Sequence, residues 1–325
     1  MRYDDFRLCA AARTCKALED RPRSHRIMRQ QAGVALYGTL VIAYLFLGGA
    51  SGGTFLVTAT WSLALHHLYP HRSALVRRDF RLLRERIYAI ATAVLAAAML
   101  CLLWDLNYPD RALMIFAFAR PTVLTFGACA LTALLAIGAL LVLANLFHIR
   151  FFSGTVKGIL EAACAILAVA VMGYTGVFLY SNVGVPFWHS LFLVGLFFCS
   201  ALSSGLSTVM LVDYFSHAEA KRINAVRPLQ KCHLACLAAE FTFMTAFIAA
   251  AWTNPQAASA IAVLLSPDTL STALVGALGF GIAVPAALES YALFRKEQRA
   301  IPVSDFVCLI GALCLRWTVI VCGVH

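Results

Sequence analysis

The residues of this 325-residue chain best placed for chemistry are ionisable groups set inside or at the edge of long apolar blocks. Glu240 and Arg316 each lie within such a block, Glu161 lies one turn into another, and Glu289 and Asp213 lie near block ends. Asp105 closes a block and is followed by Asp110 and Arg111 in a connector. Placing one such group in hydrocarbon costs roughly 3 kcal/mol on insertion scales, so each needs a reason to be there. For Glu161, Glu289 and Asp213 the expected reason is ion pairing that locks helices together, or snorkelling to the interface. For Glu240 and Arg316 a polar-cavity or proton-carrying role weighs as much as pairing, because a carboxylate in low dielectric is suited to hold and release protons.

The histidines and cysteines restrict the redox chemistry. None of the nine histidines is expected at mid-helix, and no pair is placed to clamp a buried haem from two helices, the usual way of holding b-type haem. No haem is therefore expected. Most of the eleven cysteines lie in apolar blocks, where Cys behaves as a small hydrophobe. Cys232-His233-x-x-Cys236 has the look of half a metal site, but no second ligand pair with zinc spacing accompanies it. No metal and no iron–sulfur cluster are expected in the chain. A redox role would then need a diffusible carrier and a partner subunit.

The elements that must position these groups follow from composition. The apolar fraction is 61% and the charged fraction 13%, against roughly a quarter charged in soluble chains. About 20 apolar residues in a helix cross the hydrocarbon. Eight blocks reach that length, at 34–65, 87–104, 121–147, 158–180, 188–212, 232–252, 270–292 and 303–323. The fold class is therefore all-α integral membrane, an eight-transmembrane-helix bundle arranged as two four-helix halves. Residues 1–33 form a basic, poorly structured N-terminal arm, and 34–325 the transmembrane domain.

Charge sets the orientation. The connectors after helices 1, 3, 5 and 7 carry fifteen of the 26 Lys and Arg residues, and those after helices 2, 4 and 6 carry only Arg111 and Arg120. By the positive-inside rule the first group is cytoplasmic and both termini face outward from the cell (inner) membrane. The N-terminal arm dissents, with eight basic residues between Arg2 and Arg29. It is either an extension or the product of a start placed too early, with Met28 the internal candidate. Its apolar stretch is too short for a signal peptide. The net charge of +10 sits at membrane edges, where it meets anionic headgroups, so a lipid bilayer and not a nucleic acid is the expected partner.

The run Gly48-Gly49-Ala50-Ser51-Gly52-Gly53 lacks the Lys-Ser/Thr ending of a phosphate loop. It reads instead as a surface that lets neighbouring helix backbones approach closely. Gly276, Gly279, Gly281 and Pro285 in helix 7 do not form with it the inverted pair of broken helices that marks many transporters.

Four segments, in order, resemble the NrfD/polysulfide-reductase membrane-subunit (PsrC-like) family. They are Tyr44-Leu-Phe-Leu-Gly-Gly-Ala-Ser-Gly-Gly53, Trp104-Asp-Leu-Asn-Tyr-Pro-Asp-Arg111, Gly173-Tyr-Thr-Gly176 with Pro186-Phe-Trp188, and Leu315-Arg-Trp-Thr-Val-Ile-Val-Cys-Gly323. Ser200-Ala-Leu-Ser-Ser-Gly205 also fits, whereas Asn107-Tyr108 departs from the family's Gly before its Pro. The resemblance implies a haem-free anchor that binds a quinone, usually menaquinone, near the outer face. It implies a ferredoxin-like iron–sulfur partner and, through it, a molybdopterin or similar catalytic subunit in anaerobic respiration. By the same resemblance, Tyr44 and Tyr174 would line the quinone pocket. Asp105 would accept the first proton, with Arg111, Glu240 and Arg316 along the proton pathway. Helix 1 starts and helix 4 ends on the same side, so the charge-based topology independently allows Tyr44 and Tyr174 to meet. Two alternatives stand: a small-molecule secondary transporter with Glu240 and Arg316 as a midplane site, and a structural anchor without a quinone pocket.

Overall fold

The computed structural model describes residues 23–68, 74–105, 122–147, 154–182, 184–216, 226–295 and 302–324. Asn107, Tyr108, Asp110 and Arg111 lie outside these residues. The helices are α1 (Arg23–Leu68), α2 (Ala74–Asp105), α3 (Val123–Leu146), α4 (Gly154–Tyr180), α5 (Leu191–Ser216) and α6 (Val226–Thr253), followed by short α7 (Ala258–Leu264). The seventh span joins α8 (Pro267–Ser271), a π-helical stretch Thr272–Ala283 and α9 (Val284–Phe294), and α10 (Pro302–Val324) is the last. Eight helices are long and apolar enough to cross a membrane, one for each expected block. No strand occurs among the described residues. In lipid every backbone N–H and C=O needs an internal partner, so blocks of this length become helices.

Two four-helix halves follow from which helices touch. α1 packs on α2 and α4, and α3 on α2 and α4; α5 and α6, the seventh span and α10 make the second group. The halves meet where α1 lies along α5, with α4 against α5 and α10 against α1. One apolar core, including Tyr88, Leu95, Leu134 and Cys164, fills the first half, and another, including Phe197, Phe247 and Leu315, fills the second. Large apolar side chains such as Leu100, Ile166, Leu191 and Phe294 point outward, as a lipid solvent requires. The starts of α1, α3 and α5 share one end of the bundle with the C-terminus of α10. This is called the termini end, and the opposite one the basic end.

Small residues set the spacing between helices. A Cβ on Gly53 would collide with the Ala201 backbone, and one on Gly205 with the backbone of Gly53 and Thr54, so α1 and α5 cross in backbone contact. Gly281 and Gly311 make the equivalent crossing between the π stretch and α10. The close-approach reading of the glycine run is what the structure contains. Buried hydroxyls on α1 close on their own helix, Thr54 onto Ala50 O at 2.8 Å and Thr58 onto Thr54 O at 2.7 Å. Pro285 sits one residue into α9, where the change from π to α register accommodates its missing N–H.

Helix α1 begins at Arg23, inside the arm expected to be poorly structured, and two further starts differ from the sequence expectation for one reason. α2 begins at Ala74, before the expected 87, and α6 at Val226, before the expected 232. Both leading segments are amphipathic helix extending the apolar block, and hydropathy alone reads their charges as connector. Arg84, counted above in a loop, therefore lies on α2. His233, expected at a helix edge, lies seven residues into α6 and is fully buried.

Candidate functional site

Tyr44 on α1 and Tyr174 on α4 are both buried, and their side chains meet in a hydrogen bond near the termini end. Tyr174 reaches this position because its ring lies over Gly127 of α3, where any Cβ would overlap it. Gly173, next to it in sequence, belongs to the outward face of α4 that also carries Ile166 and Val177, so only Tyr174 turns into the bundle. Two phenolic hydroxyls can each donate and accept, which suits them to a carbonyl oxygen. This chemistry fits the oxygens of a quinone headgroup. Asp105 ends α2 at the same end of the bundle, but its side chain lies outside the described residues.

At mid-depth the arginine of the closing Leu315-Arg316 segment is wholly buried. Its Nη1 donates to Ser200 Oγ at 3.1 Å and to Ala312 O at 2.9 Å, while Nε and Nη2 have no partner among the described residues. The guanidinium lies 5.7 Å from the Phe46 ring centre and 5.4 Å from that of Phe197. It faces Gly49, where a Cβ would stand 2.8 Å from Nη2. Buried Glu240 on α6 interacts with the same Ser200 and with the Arg316 charge. The two residues singled out at mid-membrane are thus brought together, with Ser200 between them. The seventh span widens into π turns at this depth without breaking, unlike the discontinuous helices of many transporters.

Two clusters nearer the basic end were not assembled from the sequence. In the first half, Arg84 Nη1 lies 3.1 Å from Glu161 Oε1. Ser62 bridges the pair, accepting from Arg84 Nη1 at 2.8 Å and donating to Glu161 Oε2 at 2.7 Å. Pairing was the role expected of Glu161, although its partner had been placed in a loop. In the second half His233 Nδ1 pairs with Glu289, so Glu289 is also paired as expected. His233 Nε2 faces Ser203 Oγ at 3.0 Å, Ser207 Oγ at 3.3 Å and Cys308 Sγ at 3.5 Å, and Asp305 stands close by. Cys232 faces outward while His233 turns inward, so the Cys-His-x-x-Cys pattern converges on no common point. The available signal for this cluster was Asp305, which opens an apolar block three residues before Cys308.

The recognised segments now have physical jobs. Within Ser200–Gly205, Ser200 holds Arg316, Ser203 meets His233 and Gly205 carries the helix crossing. Pro186 opens a 3-10 turn that seats Trp188 over Gly323, with its indole N–H donating to Val319 O at 2.9 Å.

An eight-helix bundle with a tyrosine pair at one end and buried ionisable groups below defines a multi-pass membrane protein. The sequence matches the family model described as polysulphide reductase, NrfD, over residues 28–325, and the chain belongs to that family. Membership implies a membrane subunit of an oxidoreductase complex. Comparison with curated proteins returns no significant match.

Proposed function

We propose that this chain is the quinone-reactive anchor of a respiratory iron–sulfur oxidoreductase. In this reading Tyr44 and Tyr174 bind menaquinol or another quinol near the outer face of the inner membrane. The bound quinol supplies two electrons and two protons. Electrons pass to a ferredoxin-like iron–sulfur subunit docked at the termini end, and from it to a molybdopterin or similar catalytic subunit. The observation that carries the reading is the meeting of buried Tyr44 with buried Tyr174 near the termini end.

Each residue has a defined task. The tyrosine hydroxyls orient the headgroup by hydrogen bonding to its oxygens. Asp105, at the same end, takes protons released there, and Arg111 in the adjoining connector steadies its charge. Arg316, Ser200 and Glu240 form a polar station at mid-depth that can hold a proton or polarise a water. No group in the chain ligates haem in this reading.

The test is purification of the tagged chain from its native membrane in mild detergent, followed by identification of co-purifying polypeptides and extractable quinone. An iron–sulfur subunit together with a quinone is expected. A chain that elutes alone and quinone-free would remove the reading and favour a transporter built on Glu240 and Arg316. In the intact complex, Tyr174→Phe and Tyr44→Phe should each weaken quinol binding by the worth of one hydrogen bond, ~0.5–1.5 kcal/mol. That should appear as a higher KM for quinol. Unchanged quinol kinetics in both variants would exclude the tyrosine pair as the site.

A further inference from the structure

His233 on α6, Glu289 on α9 and Asp305 on α10 come from three helices. Each offers one ligand atom, and those atoms lie within 4.8 Å of one another. Their exposures are 0%, 3% and 1%. Two carboxylates here face a single imidazole, with Ser203, Ser207 and Cys308 as polar neighbours. Even with His233 protonated, a negative charge is left over in a setting that penalises unpaired charge. In addition, Glu289 Oε2 and Asp305 Oδ1 have no hydrogen-bond partner among the described residues. Buried oxygens of this kind call for a donor or a cation, and one cation would satisfy both.

The imidazole is oriented for that purpose. The Ser203 and Ser207 hydroxyls beside Nε2 can accept its N–H, so that loss of the proton now held between Nδ1 and Glu289 would turn the Nδ1 lone pair toward the carboxylates. Holding the outer nitrogen by a hydrogen bond while the inner one faces a cation is the usual arrangement of a metal-ligating histidine. One imidazole nitrogen with two carboxylates suits zinc or manganese; calcium would require six or more oxygens.

We propose that His233, Glu289 and Asp305 hold one divalent cation of the zinc–manganese class, which fastens α6, α9 and α10 together close to the basic end. Binding exchanges the proton shared by His233 and Glu289 for the cation, so affinity falls as pH is lowered. The site is separate from the tyrosine pair and does not depend on the quinone reading. It departs from the sequence expectation of a chain without metal.

The test uses the full chain, purified in mild detergent through a tag that contains no histidine. Metal content is measured by plasma mass spectrometry, and melting is followed with added ZnCl2, MnCl2 or EDTA. The wild type should carry about one zinc or manganese per chain. Asp305→Asn and Glu289→Gln should each lower affinity by about tenfold or more. The wild-type Tm should rise with the matching metal and fall with EDTA, and the variants should lose that response. Glu161→Gln, in the other half, should keep it. If either ligand variant fails to fold, the wild-type content and metal response still decide the matter. A metal-free wild type with a Tm indifferent to ZnCl2, MnCl2 and EDTA overturns the proposal and leaves a protonated ion-pair cluster. Equal metal in wild type and variants also overturns it, and points to outward thiols such as Cys232.

Discussion

Several of the polar side chains at depth in this protein are answered by partners on other helices. Arg84, Ser62 and Glu161 illustrate the balance: two opposite charges are paired, and a hydroxyl on a third helix bridges them. Removing one member leaves the other buried and uncompensated, which costs more than the pair itself contributes. Glu161→Leu should therefore destabilise the chain by about 3–5 kcal/mol, read as a lower Tm in detergent. The double variant Arg84→Met with Glu161→Leu should recover much of that loss. If the single and double variants melt alike, the pair is not what holds α2 to α4. The Glu161 half of this cluster could be anticipated, since an acid one turn inside an apolar block needs a partner. Arg84 could not, because only its place on α2, one helix face from Ser62, separates it from the neighbouring connector arginines.

At the scale of elements, backbone proximity organises the bundle. Gly53 and Gly205 let α1 and α5 touch without intervening side chains, and neither backbone can retreat without moving its half. Gly53→Leu should cost at least about 3 kcal/mol, the upper range for overpacking, and should sharply lower the yield of folded protein. Gly158, one turn into α4, faces open space: a Cβ there would meet nothing within 4 Å. Gly158→Ala should be neutral or stabilising by up to ~1 kcal/mol through helix propensity. Equal effects of the two substitutions would show that close approach is not the role of Gly53. The small-residue run around Gly53 marked it in the sequence as a close-approach position, whereas Gly158 stands alone; which neighbour faces each one is decided by the packing.

For the whole molecule, the prediction concerns orientation. The odd-numbered connectors carry the Lys and Arg excess, and the even number of spans puts both ends of the eight-helix domain on one side. A reporter phosphatase fused after His325 should be active in the periplasmic space. A fluorescent reporter at the same point, which needs the cytoplasm to mature, should stay dark. The reverse pattern would invert the membrane and place Tyr44 and Tyr174 on the cytoplasmic side, away from the proposed docking face.

Hydropathy and charge counting alone determined that the chain is helical, that it has eight spans, and which connectors are basic. These properties depend on block length and composition, which the bilayer reads one residue at a time. The resemblance in ordered motifs pointed to Tyr44, Tyr174 and Arg316 for the same linear reason. Only the tertiary structure decided which buried groups meet: Tyr44 with Tyr174, Arg316 with Ser200 and Glu240, and His233 with Glu289 and Asp305. These partners lie on different helices, and their encounter depends on helix rotation and on glycine-set spacing. The glycine run announced a close approach, but neither the helix that makes it nor the rotation that pairs these side chains is written in the sequence around any one of them.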